Sequence, residues 1–255
     1  MTKNMPKPKV AFFSFTCCEG CQLQVLSCED ELVDILNLIE IVNFREAIDE
    51  KRDDYDIAFI EGSVSRQHEI EEVKKIREKA NVVVALGACS STGGLNCLKN
   101  KFPMEEVKKV VYGEKSKYYK YFDTIPARPL DAVIPVDYYL HGCPITKSEF
   151  LNVLKALLTG KRPDMPNYPV CVDCKMTGNI CVFEKGKTCM GPVTRAGCDA
   201  ICVTYGAVCW GCRGTVDNPN TESHEETLRI YGLTADDLVR SFDLYGGWNK
   251  YGGSK

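Results

Sequence analysis

Twelve of the fifteen cysteines in this 255-residue chain fall into three groups of four whose spacing suits metal binding. The N-terminal half offers Cys18 and Cys21 in TCCEGCQ, Cys89 in GACSSTGG and Cys143 in HGCP. The C-terminal half packs Cys171, Cys174, Cys181, Cys189, Cys198, Cys202, Cys209 and Cys212 into one stretch that opens and closes with CxxC pairs. Thiolates are soft donors, and four of them hold either an iron-sulfur cluster or a structural zinc. Disulfides are the other use for many cysteines, but they belong to oxidising compartments. The N-terminal residues MTKNMPKPKVAFFSF run from a few polar positions straight into an apolar strand. They carry no h-region, cleavage site or twin-arginine pair, which predicts a cytoplasmic protein and favours metal over disulfides.

The eight-cysteine stretch differs from the CxxCxxCxxxCP run of two-cluster ferredoxins, yet two separate tetrathiolate sites remain the economical reading. Two zinc sites would use the same pairs. Zinc is redox-inert, however, and would leave a cluster held by the N-terminal group without an electron partner in the chain. Cys17, Cys28 and Cys97 are left over. Cys17 adjoins Cys18, so either could be the ligand, and the CxxC spacing to Cys21 favours Cys18. Cys28 and Cys97 read as small buried hydrophobes.

The elements that must position these residues alternate between short β-rich runs and longer stretches of helical period, the pattern of βαβ units and a parallel sheet. Strands are expected at Val10 to Phe15, Ile57 to Glu61, Val82 to Leu86 and Val133 to Val136, with helices at Gln22 to Ile39, Gln67 to Lys79 and Lys147 to Leu158. Each member of the N-terminal group then lies just past a strand, at the edge where open α/β sheets bind ligands. Glycines beside them (Gly20, Gly87, Gly93, Gly94, Gly142) permit close backbone approach, so that amide N–H groups can face a cluster's sulfides. Pro163, Pro166 and Pro169 mark a boundary. The expected organisation is an α/β, flavodoxin-like doubly wound domain over 1–162, a small loop-dominated cysteine-rich domain over 163–215, and a C-terminal segment over 216–255. That last segment holds two short helix candidates, one opened by Thr234-Ala-Asp-Asp237, and a tail, YGGWNKYGGSK, that is either loose or a docking segment.

SFTCCEGCQLQ, FIEGSVS, ALGACSSTGG, HGCP and above all CMGPVTRAGC followed by CWGCRG resemble the small subunit of nickel-iron hydrogenases over roughly residues 9 to 215. The resemblance is greatest to the cytosolic multimeric kinds, such as the sulfhydrogenase delta subunit and the small subunits of methyl-viologen-reducing and F420-reducing enzymes. It implies three 4Fe-4S clusters. The proximal one would be held by Cys18, Cys21, Cys89 and Cys143, the distal one by Cys171, Cys174, Cys181 and Cys189, and the medial one by Cys198, Cys202, Cys209 and Cys212. Cys171 stands at the position that resembles a histidine ligand in many periplasmic relatives, and Cys202 supplies a fourth medial thiolate where those relatives have three. The implied partners are a nickel-iron large subunit that activates H2 and a further subunit carrying flavin or iron-sulfur centres. Where several relatives place a glutamate before the first proximal cysteine, this chain has Cys17, with Glu19 inside the motif and Glu61 nearby in FIEGSVS.

The nickel-binding signature, two CxxC pairs with characteristic flanking Arg and His residues, is absent, and His68, His141 and His224 are scattered, so the chain alone should not split hydrogen. His141, beside Gly142 and Cys143, is placed either to hydrogen-bond a sulfide or to face solvent. Arg195 and Arg213 are candidates for favourable charge near anionic clusters. A quinone-reducing complex I type subunit shares the N-terminal fold, but it keeps one cluster and lacks the eight-cysteine module. A flavin-binding flavodoxin would want a Ser/Thr-rich phosphate loop where this chain has glycine and cysteine. A net charge of −3 gives no footprint for nucleic acid, and no apolar run approaches the ~18 residues of a membrane span. In such enzymes the acceptor site lies on other subunits, so the terminal acceptor is not encoded in this chain.

Overall fold

A computed structural model describes residues 6–118, 123–234 and 243–246. In chain order the strands are β1 Lys9–Ser14, β2 Glu40–Phe44, β3 Ile57–Glu61, β4 Val64–Arg66, β5 Val82–Leu86, β6 Thr124–Arg128 and β7 Tyr138–Leu140. The helices are α1 Gly20–Leu26, α2 Glu29–Leu38, α3 Gln67–Lys79, α4 Ala88–Thr92, α5 Met104–Tyr112, α6 Lys147–Leu158, α7 Val170–Met176, α8 Ile201–Thr204 and α9 Thr221–Ile230. A parallel sheet of order β2-β1-β3-β5-β7 forms the centre, and β4 pairs antiparallel with β6 beside it. This is the flavodoxin-like order, with its switch point between β1 and β3.

Both faces of the sheet are covered, which is why its central strands read as unbroken apolar runs. The period of two sorts them: Val10, Phe12, Ile57, Phe59, Val84 and Leu86 face one layer, built with Phe150, Val153 and Leu154 of α6. Ala11, Ala58, Ile60, Val83 and Ala85 face the other, with Val73 and Ile76 of α3. Phe12 stacks on Phe59 with ring centres 5.0 Å apart, and Phe150 meets Phe59 edge-on at 5.5 Å.

The helices at Gln67–Lys79 and Lys147–Leu158 form as expected, as do the first three strands to within a residue. Three features differ. The helix expected over Gln22 to Ile39 is two helices, because Ser27 turns its hydroxyl back on the Leu23 carbonyl at 2.9 Å and Cys28 sits fully buried at the break. The last central strand is Tyr138–Leu140 and not Val133 to Val136: Val133 ends a 3-10 turn over Leu130–Ala132, and Pro135 lacks a ladder donor. β2 and the β4/β6 pair were not anticipated. The helix expected at Thr234 lies largely outside the described residues.

Beyond the proline-rich connection the chain builds a second, smaller core from Val170, Val182, Phe183, Met190, Val193 and Val203, which Leu228 of α9 completes. Phe59→Ala, which removes the ring shared by three strands and α6, should cost about 3–5 kcal/mol. Hydrogen exchange should therefore accelerate for β1, β3 and β5 amides while α7 to α9 amides change little. Equal acceleration in both regions would show that the two cores are one cooperative unit.

Candidate metal centres

The parallel strands deliver the first thiol set to one edge. β1 ends before Cys17, Cys18 and Cys21, β5 before Cys89, and β7 before Cys143. Gly87 N–H donates to the Leu140 carbonyl and Ala88 N–H to that of Gly142, each at 2.7 Å, which ties the Cys89 and Cys143 loops together. Gly87 has φ +86°, and a Cβ there would collide with Cys21 Sγ, so only glycine lets that loop close over the thiol. Cys18 Sγ faces Gly20 on the side of Pro144, next to Cys143.

Glu61, at the carboxyl end of β3, is 1% exposed and accepts from the backbone N–H of Cys21 at 3.1 Å and of Gln22 at 3.0 Å. It caps α1, whose own N-cap residue, Glu19, is left-handed and makes no side-chain cap. Glu19 instead pairs with Arg45 at the surface. Burial, then the Glu61 carboxylate and Cys18, push the Cys17 thiol up to about 12. Burial, then Cys143, Cys17 and Cys18, do the same for Cys89. All five thiols of this edge therefore sit in one field. Cys28 and Cys97 do not: Cys97 donates to the Ala127 carbonyl at 3.3 Å and Cys28 lies in the sheet core.

The other eight cysteines surround two hollows. Cys171 and Cys174 of α7, with Cys181 and Cys189, line a cavity of about 30 Å³. Cys198, Cys202 of α8, Cys209 and Cys212 line an adjoining one of about 80 Å³, which Cys143 also borders. Neighbouring sets touch through single hydrogen bonds. Cys209 N–H donates to Cys189 Sγ at 3.4 Å, and Cys143 N–H donates to the Cys212 thiol. The three sets thus run in series, with Cys143/Cys212 and Cys189/Cys209 as the links.

These donors fit an iron-sulfur centre. Backbone N–H groups already point at the sulfurs: Ile145 at Cys21, Gly191 at Cys189, Ala200 at Cys198 and Gly211 at Cys209. Such amides stabilise a thiolate and, through it, an anionic cluster. Burial opposes them and pushes the Cys171 thiol up to about 12 and that of Cys212 to about 11. Bound iron reverses that balance, because a coordinating thiol is deprotonated outright. Among the described residues no three His, Cys, Asp or Glu close on a single-ion point.

Arg213, in the sequence a candidate for favourable charge near anionic clusters, is 1% exposed. Its guanidinium grips Glu149 of α6 in a fork (2.5 and 3.0 Å), donates to the Ala196 carbonyl at 2.7 Å beside the second core, and to the His141 carbonyl at 2.6 Å beside Cys143. Burial pushes Glu149 above the ordinary carboxylate value, and Arg213 pulls it back. Gly197, at φ +108°, admits the guanidinium where any Cβ would strike it. Arg195 binds the Pro166 carbonyl, Asn167 and Asp217 instead, pinning the connection between the cores. The His141 ring stacks on Tyr139 at 5.8 Å, is partly exposed, and its Nδ1 is buried without a partner. Burial, then the charges of Arg195 and Arg213, drive its pKa down to about 3, which leaves the ring neutral. Glu149 was missed by the sequence reading, although a glutamate within the apolar run of an amphipathic helix was the available signal.

A flavodoxin-like sheet with thiols at its carboxyl edge, followed by a cysteine-rich module, defines a subunit of an oxidoreductase complex. Comparison with known proteins says which kind. The family described as NADH ubiquinone oxidoreductase, 20 Kd subunit, matches residues 18–157. Sulfhydrogenase 2 subunit delta of Pyrococcus furiosus is 33% identical, covering 94% of this chain and 100% of its own length. The NAD-reducing hydrogenase HoxS subunit delta of Cupriavidus necator is 28% identical, covering 63% of this chain and 83% of its own length. In the structure of an NAD+-reducing [NiFe]-hydrogenase in the H2-reduced state, a chain superposes with a TM-score of 0.56 at 27% identity, covering 63% of this chain and 96% of that one. The Ni-Fe-Se hydrogenase of Desulfomicrobium baculatum, at 16% identity and a TM-score of 0.52, shares the fold over 85% of this chain and 98% of that one. The chain belongs to the 20 Kd subunit family and, within it, to the small subunits of nickel-iron hydrogenases.

Removing Glu149 leaves a buried cation without its partner. Glu149→Ala should cost about 3–5 kcal/mol, whereas the double variant Glu149→Met, Arg213→Met should recover much of that loss. Limited proteolysis across residues 159–169 reports the outcome, with rapid cleavage expected for the single variant.

Proposed function

We propose that this chain relays electrons between the H2-activating nickel-iron centre of a large subunit and a further subunit carrying flavin or iron-sulfur centres. In this reading Cys18, Cys21, Cys89 and Cys143 hold a proximal 4Fe-4S cluster; Cys198, Cys202, Cys209 and Cys212 a medial one; and Cys171, Cys174, Cys181 and Cys189 a distal one. The observation that carries it is the series arrangement of the three thiol sets, joined at Cys143/Cys212 and at Cys189/Cys209. When bound, the clusters supply one-electron storage and transfer. Cys18 is preferred to Cys17 on its CxxC spacing to Cys21.

The chain's own residues then have separable tasks. Glu61 fixes α1 so that Cys21 faces the edge, the amides that point at the sulfurs favour thiolate over thiol, and Arg213 offsets negative charge between the proximal and medial sets. Cys18 and Cys143 are exposed, and Leu23 and Leu95 present apolar surface on helices that follow the proximal cysteines, which suits burial of this edge against a large subunit. Val172, Met176 and Ile180, exposed around the distal set, suit electron exit to the next subunit. The division is into 1–162, 163–215 and 216–255; of the last segment, Leu228 packs into the second core and Asp243 pairs with Lys101. A cytoplasmic location follows from the resemblance to the cytosolic multimeric enzymes. Among the described residues no helix is long and apolar enough to cross a membrane.

The anaerobically isolated complex should hold about twelve iron and twelve sulfide per copy of this chain after partner contributions are subtracted, four of each per cubane. Dithionite reduction should give interacting EPR signals, and Cys189→Ala should remove about four iron while leaving the proximal signal. Zinc in place of iron in the 171–212 stretch would reduce the protein to one cluster and a structural module.

A further inference from the structure

The described residues of the C-terminal segment return to the seam between the proximal and medial thiol sets. Asp243–Gly246 is a helical turn whose Asp243 is 5% exposed and pairs at 3.2 Å with Lys101, at the end of the 3-10 segment that follows the Cys89 loop. That anchor places Tyr245 in the wall of two cavities. One is the medial hollow with Cys143, Cys198, Cys202 and Cys212, and the other is a larger cleft of about 230 Å³ that reaches His141, Trp210 and Arg213. The Tyr245 hydroxyl hydrogen-bonds Cys143, and its surroundings include Cys212 and Cys89. A single side chain from the otherwise undiagnostic tail thus touches both sets at their link.

We propose that Tyr245 is a positioning residue for electron transfer: its hydroxyl donates to the Cys143 sulfur and its ring roofs the medial hollow, raising the proximal centre's potential and keeping water from the seam. The inference rests on the reading that these sets hold clusters. A donor to a ligating sulfur stabilises the reduced, more negative state, so it raises the potential of that centre relative to its neighbour. The role requires a protonated phenol. An ordinary phenol is protonated throughout the physiological range, so the donor persists.

The test uses the intact anaerobic complex and EPR-monitored redox titration, with iron and sulfide counted first. Tyr245→Phe keeps the ring and removes only the donor. It should retain full iron, leave the distal midpoint unchanged, and lower the proximal one. At the wild-type midpoint the reduced-to-oxidised ratio should fall about three- to tenfold, the range a single hydrogen bond's net worth allows. An unchanged proximal midpoint in a fully loaded variant overturns the proposal. Should that variant fail to assemble, wild-type complex grown on tyrosine deuterated beside the hydroxyl decides: deuterium modulation of the proximal signal is expected, and its absence overturns the inference. A wild-type complex with no proximal signal at all would instead sink the underlying reading, and this inference with it.

Discussion

The buried fork between Arg213 and Glu149 is the constraint on which the rest of the arrangement depends. Each half of the chain has its own apolar core, and apolar packing alone would let the halves meet at many angles. A guanidinium that must satisfy Glu149 on α6, the Ala196 carbonyl beside the cysteine-rich core and the His141 carbonyl beside the β7 loop admits very few. Such a pair adds little net stability over an apolar isostere, because desolvation consumes most of its Coulombic gain. What it specifies is geometry. With Arg213 seated, Cys143 at the end of the sheet and Cys212 of the second module are held within hydrogen-bond reach.

The same cation has an electrostatic consequence. Three sets of thiols in series concentrate potential negative charge along one line, and burial raises Cys21, Cys89, Cys171, Cys189, Cys198, Cys209 and Cys212 on it. The compensation is unequal. Cys198 feels the Arg213 charge directly, whereas the proximal edge has the Glu61 carboxylate beside Cys17 and Cys21. An anion at one set and a cation at the next produce a gradient even if all three sets bind identical groups. The gradient favours negative charge near the medial set, towards which Arg213 faces.

Much of this was legible in the residues, and the parts that were not share a cause. The parallel strands could be read because both faces are covered and each run is continuously apolar, and the strand ends then placed Cys18, Cys21, Cys89 and Cys143 at one edge. Local chemistry was harder to read. Ser27 competes for a helix carbonyl and splits an apparently continuous amphipathic stretch, and Pro135 moves a strand by a few residues although Val133 and Val136 stay apolar and packed. Tertiary partnership was not legible at all. Nothing in the string distinguishes Arg213 from Arg195, yet one joins two cores from within and the other ties a surface connection to Asp217. Cys17 beside Cys18 shows the limit from the other side, since spacing ranks the two while both thiols bear on Cys89.

The tail extends this argument. Sequence composition left YGGWNKYGGSK as either loose or docking, and of that stretch only Tyr245 and Gly246 fall within the described residues. What holds Asp243–Gly246 is a contact more than a hundred residues away, Lys101, on a segment whose own position follows from the Cys89 loop. The C-terminal turn is therefore ordered by the same edge that gathers the proximal thiols. It closes a seam that Arg213 also lines, so that a phenol and a guanidinium share the wall of one cleft. A tail that only covered apolar surface would have no reason to turn a hydroxyl towards a cysteine at the junction. Its placement ties the far end of the chain to the link between the first two thiol sets.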